Sequence, residues 1–174
     1  MLPKSFLDKT ACCFTGHRAR YLPDGGDEAA PAMRQLKTLL LHRVEEAVSC
    51  GVHTFLAGGA DGFDTLAAEA VLTRMSLYPE LKLVLALPSR TQAAYYSADM
   101  RARYARILGA ASEVHYASEA DNGARAMRSR NRYLVDHADC CIAYLTRGAG
   151  GTMYTVNYAF ERGLSFYNLA EELL

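Results

Sequence analysis

The sequence lacks the features that mark several common classes of protein. Its five cysteines form no Cys-x-x-Cys or Cys-x-x-His pair, which argues against a zinc site or a redox dithiol and favours buried, reduced thiols. No apolar run approaches the roughly 20 residues of a membrane span, and residues 1–8 contain no apolar stretch long enough for a signal peptide. We therefore expect a cytoplasmic protein with no metal site and no membrane partner.

Net charge is absent as well. The chain carries 19 basic and 19 acidic residues, so the molecule as a whole has no long-range attraction to a polyanion. Positive charge is concentrated in residues 90–132, which hold eight arginines against four acidic residues, a local net of +4. An anionic partner would bind in that segment, although a solvated helix face explains the same pattern.

No internal repeat and no low-complexity linker divides the chain. At 174 residues, with 51% hydrophobic and 22% charged residues, it is long enough to bury about 70% of its unfolded surface around one core. We therefore expect residues 1–174 to form a single domain.

Apolar strand-like runs alternate with amphipathic helical segments along the chain. The predicted strands are 9–14, 52–57, 81–87, 113–116, 140–145 and 165–169, and the predicted helices are 31–50, 61–77, 97–111, 124–138 and 152–162. Such alternation requires parallel pairing through right-handed crossovers. The predicted fold is α/β: a Rossmann-like, doubly wound, mostly parallel sheet of five or six strands with helices on both faces.

Helical periodicity also predicts which side chains face the sheet. In the last two helices the residues expected to face inward are Met127, Leu134 and Ala138, and Met153, Val156, Ala159 and Phe160. Asn131 shares the inward stripe of its helix. A buried amide without partners costs about 1 to 3 kcal/mol, so Asn131 should bond either a neighbouring loop or a ligand.

Two glycine-rich turns each follow a predicted strand and open into a predicted helix. The first spans residues 58–64 and the second spans residues 148–152. Free backbone N–H groups and the positive end of a helix dipole at such a turn are how proteins hold phosphate. Thr15-Gly16-His17-Arg18 closes a further strand. Together these turns favour a nucleotide or another phosphorylated ligand.

Ligands of doubly wound sheets bind beyond the carboxyl ends of the strands, and the suggestive residues of this chain lie at that edge. The predicted ligand-binding residues are Thr15, Gly16, His17, Arg18, Gly58, Gly59, Ala60, Asp61, Gly62, Asp64, Pro88, Asn131, Gly150, Gly151 and Thr152. No catalytic residue is assigned.

Each of these side chains also has a purely structural interpretation. His17 either contacts a ligand or acts in proton transfer, or it is a structural residue bonded to the backbone. Arg18 binds an anion or forms a surface salt bridge. Asp61 and Asp64 bind a ribose hydroxyl or a metal, or they cap free N–H groups at the helix start, and Thr152 presents the same choice.

Two further features remain open. Arg125, Arg128 and Arg132 lie on one helix face, which indicates a solvated stripe rather than a nucleic-acid track. The Tyr95-Tyr96 pair either stacks on a base or packs within its loop.

Several of these segments resemble a known family. They are Thr15-Gly16-His17-Arg18, residues 59–64, Leu87-Pro88, residues 130–136, and Gly150-Gly151-Thr152 with Tyr158-Ala159. In order and spacing they are similar to the YpsA-like family of the SLOG superfamily, which also includes the DNA-processing protein DprA and the LOG cytokinin-riboside phosphate hydrolases. The resemblance covers nearly the whole chain and implies a nucleotide or nucleotide-derived ligand on a Rossmann-like sheet.

The chain departs from the LOG pattern at Thr155, which occupies the position of the LOG glutamate. Without that carboxylate, glycosidic hydrolysis lacks its obvious acid or nucleophile. We therefore rank a nucleotide-binding or sensing protein first. A hydrolase of a nucleotide N-glycosidic or phosphate linkage is the alternative, with Asp61, Asp64, Glu69 or His17 as substitutes. Single-stranded nucleic-acid binding ranks third. No cofactor is assigned beyond the nucleotide-like ligand, and homodimerisation is left open.

Overall fold

The computed structural model describes residues 9–173, so residues 1–8, on which the signal-peptide prediction rests, lie outside it. The strands are β1 (Ala11–Gly16), β2 (Thr54–Ala57), β3 (Lys82–Leu87), β4 (Glu113–Tyr116), β5 (Cys140–Tyr144) and β6 (Ser165–Asn168). The helices are α1 (Pro31–Ser49), α2 (Phe63–Met75), α3 (Ala98–Ala110), α4 (Ala124–Asp136) and α5 (Gly151–Glu161). Every predicted strand and helix is present.

The six strands form one sheet in the order β4-β3-β2-β1-β5-β6, and every neighbouring pair is parallel. The chain moves outward from β1 to β4 and then returns through α4 to β5. The strand order therefore reverses between β1 and β5, which is where the loops diverge and a ligand crevice forms in such sheets. This arrangement confirms the predicted fold.

Helices cover both faces of the sheet. One core cluster joins Phe14, Phe55 and Leu83 to the apolar residues of α1, α2 and α3. The other joins Cys13 and Leu56 to residues of α4 and α5, including Leu134 and Val156. Alternate residues of one strand thus belong to opposite clusters, as the twofold periodicity of a strand requires.

The cysteine pairs lie on adjacent central strands. Cys12 is in register with Cys140, and Cys13 with Cys141, and all four are fully buried. Burial raises the pKa of Cys12 well above its ordinary value, since an apolar interior disfavours the thiolate. The five cysteines are free, and no cluster of potential metal-binding side chains occurs in residues 9–173.

Two predictions of helix orientation are wrong. Phe160 is 58% exposed and packs at the sheet edge against Phe166, with ring centroids 5.0 Å apart. The sheet-facing stripe of α5 consists instead of Thr155, Val156 and Ala159, because small residues allow the helix to approach the sheet closely.

The predicted inward residues Met127 and Ala138 are only partly buried, and Ala138 lies beyond the end of α4 at Asp136. The buried residues of that helix are Ala126, Arg130, Asn131, Leu134 and Val135. An arginine therefore occupies the inward face, where apolar periodicity alone would not place it.

Several element boundaries also differ from the prediction. Strand β1 extends to Gly16, because Gly16 pairs with Tyr144 of β5. Helix α2 begins at Phe63 rather than at residue 61, because Gly62 before it has a φ of 98°, which only glycine adopts readily.

Within the part of the chain that the structure describes, no helix has the length and apolar character needed to cross a bilayer.

Candidate functional site

A cavity of about 480 Å³ opens where the strand order reverses, beyond the carboxyl ends of β1 and β5. The predicted site residues that line it are Thr15, Gly16, His17, Arg18, Ala60, Asp64, Asn131, Gly150, Gly151 and Thr152. The structure therefore brings together residues from four separate segments of the chain.

The remaining predicted residues lie outside the lining of this cavity. Asp61 and Gly62 face a smaller neighbouring cavity. Pro88 is remote from the site, and its carbonyl accepts hydrogen bonds from the backbone N–H and the hydroxyl of Ser118 at 2.9 and 3.0 Å. Gly58 and Gly59 do not line the cavity, because Arg130 packs against Gly58 and Leu87 packs against Gly59.

The first glycine-rich turn is filled by the protein itself. A Cβ added at Gly58 would lie 2.5 Å from Arg130 Nη1, and one added at Gly59 would lie 2.4 Å from a methyl group of Leu87. A Cβ at Gly62 would lie 2.4 Å from the backbone nitrogen of Ala19. The N–H of Phe63, at the start of α2, donates to the carbonyl of His17 at 3.1 Å. These glycines allow close packing, so this turn is a poor phosphate site.

The second glycine-rich turn is open. Apart from the adjoining residues of the chain, no atom of residues 9–173 lies within 4 Å of a Cβ added at Gly148 or Gly150. Gly150 is the N-cap of α5 with a φ of 92°, and no side chain from residues 9–173 caps the helix. Thr152 is therefore not an N-cap. The first N–H groups of a helix have no intrahelical acceptor, and here they face the cavity with the positive end of the α5 dipole.

Arg130 lies on the inner wall of the cavity and is only 5% exposed. Its Nη1 donates to the carbonyl of Gly58, and its Nε donates to Asn131 Oδ1 at 2.7 Å. Burial lowers the pKa of Arg130, an effect that the nearby Asp64 opposes. The sequence analysis did not select Arg130 as a site residue. Its spacing from Met127 and Leu134 on the inward stripe was the available signal.

Asn131 is also buried, with 9% exposure. Its oxygen accepts from Arg130, which orients its Nδ2 toward the second glycine turn, 4.0 Å from the position of a Cβ on Gly151. Within residues 9–173 this amide N–H₂ group has no hydrogen-bond partner. Nδ2 is not among the fully buried unpaired side-chain atoms of residues 9–173, so it opens to the cavity. An unpaired donor in this position, beside an open helix N-terminus, matches an anionic oxygen.

Asp64 supplies a buried carboxylate to the same wall. Its Oδ2 accepts from the backbone N–H of Ala60 at 3.3 Å. Burial raises the pKa of Asp64, while the positive charges of Arg130 and Arg18 act in the opposite direction. Asp61, by contrast, pairs with Arg18 at 3.1 Å in a half-exposed salt bridge. Arg18 therefore forms a salt bridge, as its structural interpretation predicts.

His17 bonds the backbone, as its structural interpretation predicts. Its Nε2 accepts from the N–H of Thr146 at 3.0 Å, so the ring proton resides on Nδ1. Burial lowers the pKa of His17, and Arg147 contributes in the same direction. The hydrogen bond joins the loop after β1 to the loop after β5 and shapes the cavity mouth.

Further cationic groups lie at that mouth. The guanidinium groups of Arg20 and Arg147 lie 4.7 and 4.3 Å from the centroid of the Tyr21 ring. Both arginines line the cavity. The sequence analysis missed them, because their contact depends on two loops that are distant in the chain.

The α4 arginine stripe lies in a separate, more open groove. Its lining includes Arg125, Arg128 and Arg132 together with a stack of rings formed by His115, Tyr133 and His137. Adjacent centroids in the stack are 3.8 and 3.9 Å apart.

The two tyrosines after β3 have different environments. Tyr96 donates to the carbonyl of Gly59 at 3.2 Å, whereas Tyr95 is 96% exposed.

Comparison with known proteins agrees with the fold and the sequence motifs. The uncharacterized SPbeta prophage-derived protein YoqJ of Bacillus subtilis (strain 168) is 30% identical over 141 residues, covering 74% of this chain and 82% of YoqJ. A UPF0398 protein of Bacillus thuringiensis (strain Al Hakam) is 25% identical over 135 residues, covering 76% of this chain and 73% of that protein.

Among solved structures, this fold is similar to that of DNA processing protein A from Helicobacter pylori, described for its single-stranded DNA binding mode. The TM-score is 0.62 at 18% identity, over 94% of this chain and 67% of that one. The sequence model of the YpsA family, described as the YspA SLOG family, matches residues 12–163. The chain therefore belongs to the YpsA family of SLOG proteins.

Proposed function

We propose that the cavity binds a nucleotide or a nucleotide-derived phosphorylated ligand, with a phosphate group at the N-terminus of α5. One observation carries the proposal: the uncapped N-terminus of α5 lies beside Asn131, a residue only 9% exposed, whose Nδ2 opens to the cavity and has no other partner in residues 9–173. Backbone N–H groups, a helix dipole and an amide donor converge there on one point. The expected function is binding or sensing.

Charge and size support this proposal. Four arginines line the cavity, Arg18, Arg20, Arg130 and Arg147, and Asp64 is the carboxylate among the lining residues. A volume of about 480 Å³ falls within the range of about 300–1,000 Å³ that is usual for small-molecule sites. The cavity is therefore large enough and cationic enough for a nucleotide.

Asn131→Asp tests the proposal. The change keeps the shape of the side chain and an oxygen for Arg130 Nε, but it replaces the donor that faces Gly151 with a negative charge. We expect the affinity for AMP, measured by calorimetric titration, to fall by about tenfold or more. The melting temperature should not fall, because a carboxylate next to the Arg130 guanidinium is electrostatically favourable.

Asn157→Asp provides the matched control, since Asn157 lies on the exposed face of α5. Its AMP affinity should equal that of the wild type. If Asn131→Asp and Asn157→Asp bind AMP and inorganic phosphate equally well, the α5 N-terminus is not the phosphate site.

A hydrolase is the second candidate, and the position of Asp64 favours it over the other substitutes considered. Glu69 is engaged by Arg103, Asp61 by Arg18, and His17 Nε2 by the N–H of Thr146. Asp64 alone of these four combines a carboxylate with a place in the cavity wall. Thr155 is fully buried, and its hydroxyl donates to the carbonyl of Gly151 at 2.9 Å.

A base-release assay separates the two candidates. We expect no appreciable release of free base from nucleoside monophosphates by the wild type, because Asp64 is the single carboxylate that residues 9–173 contribute to the cavity. Robust release that Asp64→Asn abolishes would establish the hydrolase instead.

Single-stranded nucleic acid is the third candidate. The groove with Arg125, Arg128 and Arg132 and its ring stack supports it, as does the single-stranded DNA binding described for the Helicobacter pylori protein. Binding of this type weakens steeply with salt, since each neutralised phosphate releases counterions. Tight, salt-dependent binding of an oligonucleotide that Arg128→Gln weakens would favour this candidate.

A further inference from the structure

Two arginines of the cavity take no part in the α5 phosphate site. Arg20 lies in the turn after β1, and Arg147 lies in the loop after β5. Their guanidinium groups both lie over the Tyr21 ring, at 4.7 and 4.3 Å from its centroid. We call Arg20, Tyr21 and Arg147 the outer group, and Arg130, Asn131 and the α5 N-terminus the inner group.

The two groups differ in how their charge is compensated. Arg130 donates hydrogen bonds to the Gly58 carbonyl and the Asn131 oxygen, and the negative charge of Asp64 lies nearby. Arg18 has Asp61. Within residues 9–173, Arg20 and Arg147 form no salt bridge with a carboxylate. Both contact the ring of Tyr21, and hydrogen bonds with Arg147 and Arg20 lower the pKa of that tyrosine. The uncompensated positive charge of the cavity therefore lies at its outer end.

His17 joins the two loops that carry the outer group. Its ring lies edge-on to Tyr21, with centroids 6.1 Å apart, while its Nε2 accepts from the N–H of Thr146, the residue before Arg147. The outer group is consequently held by two loops that are joined to each other. Its three residues are exposed at the cavity mouth, and the inner and outer groups line the same cavity.

We propose that the ligand carries two anionic groups, as a nucleoside diphosphate or a diphosphate-linked nucleotide derivative does, with one phosphate on the inner group and the second on the outer group. This inference rests on the proposed function and specifies its ligand class. A monophosphate bound at α5 leaves Arg20 and Arg147 without an anion, whereas a diphosphate supplies oxygens to both groups. Guanidinium groups donate to phosphate in a forked geometry that suits this role.

The test compares AMP with ADP on the wild type and on Arg147→Gln, by calorimetric titration. We expect the wild type to bind ADP about tenfold or more tightly than AMP, the factor that one charge-assisted hydrogen bond supplies. In Arg147→Gln the ADP affinity should fall to that of AMP, while the AMP affinity is unchanged. Arg20→Gln serves as the second variant should Arg147→Gln fail to fold.

Arg101→Gln is the matched control, because Arg101 is an exposed residue of α3 and lines neither this cavity nor the smaller one beside Asn131 and Gly151. It should leave both affinities unchanged. Inorganic phosphate and pyrophosphate carry no base, so the same comparison with them removes any dependence on the choice of adenine.

The outcomes separate the inference from the proposed function. Equal affinities of the wild type for AMP and ADP overturn the inference and leave the phosphate site at α5 intact. An equal loss of AMP and ADP affinity in Arg147→Gln also overturns it, since the arginine would then act on the first phosphate. Failure of the wild type to bind any of the four probes overturns the proposed function, and the inference with it.

Discussion

Gly58→Ala should disrupt the inner wall of the cavity by adding a single methyl group. Gly58 does not have a positive φ, so alanine introduces no backbone strain at this position. The added Cβ would lie 2.5 Å from Arg130 Nη1, 2.7 Å from Asp64 Oδ2 and 3.0 Å from Arg130 Cζ. Real Cβ atoms do not approach other heavy atoms this closely, so at least one buried charged group must move.

Neither group can move without cost. Arg130 is 5% exposed and Asp64 is 7% exposed, and moving Arg130 breaks its hydrogen bond to the carbonyl of Gly58. Inserting a methyl group into a packed site costs about 1–3 kcal/mol. For a chain of this size each kcal/mol corresponds to about 2–4 °C, so we expect the melting temperature to fall by roughly 2 to 12 °C. Affinity for AMP should fall as well, because Arg130 orients Asn131.

Gly109→Ala is the matched control. A Cβ at Gly109 would meet nothing within 4 Å, and the residue lies in the last turns of α3. Replacing a helical glycine by alanine stabilises by about 0.5–1 kcal/mol, so the melting temperature should rise. Equal melting temperatures for Gly58→Ala and the wild type would refute the packing interpretation of the first glycine turn and reopen it as a ligand site.

Three further results are expected from other parts of the molecule. The folded-state pKa of His17 lies below its unfolded value of about 6.5, so its contribution to stability is complete above that pH and is lost as the pH falls toward the folded pKa. His17→Gln should therefore flatten the dependence of the unfolding free energy on pH in that window, and an unchanged slope would contradict this. Because the cysteines other than Cys50 are fully buried, a thiol reagent should label at most Cys50 in the folded protein and five thiols after denaturation. Phe160→Ser should change stability by about 0.5 kcal/mol or less, since that ring is 58% exposed; a much larger loss would show that α5 packs through this position.

The order and direction of the elements could be predicted from the sequence, because each depends on local information. Period-two and period-3.6 apolar patterns identify strands and helices, and the right-handed crossover rule then requires parallel pairing. Boundaries were less certain. Strand β1 continues to Gly16 through pairing with Tyr144, a contact between residues far apart in the sequence, and no local pattern reports it.

The two glycine turns show the limit of the same reasoning for the site. Both follow strands and precede helices, and in the sequence they look alike. They differ because Arg130 and the loop after β1 occupy the space beside Gly58 and Gly62, while nothing occupies the space beside Gly150. Arg130 itself was missed because periodicity assigns apolar residues to a buried face. Its burial depends on acceptors that come from the turn after β2 and from α4.

The position of β1 at the centre of the sheet has a consequence for folding. Strand β1 pairs with β2 early in the sequence, but its other neighbour, β5, is separated from it by about 129 residues. Asp139 Oδ2 joins the two by accepting hydrogen bonds from the N–H groups of Thr10 and Ala11, each at 3.0 Å. Contacts of such long range form late, because loop closure must precede them.

Until β5 docks, β1 is an edge strand with unpaired N–H and C=O groups, and such edges promote aggregation of folding intermediates. The α5 N-terminus follows β5 in the chain, so the cavity is completed only in the last stage of folding. Pulse-labelling hydrogen exchange should therefore find amide groups of β2 and β3 protected before those of β5. A ligand that contacts both the β1 loop and the α5 N-terminus should bind only after β5 has paired with β1. Once bound, it should oppose the separation of β1 from β5.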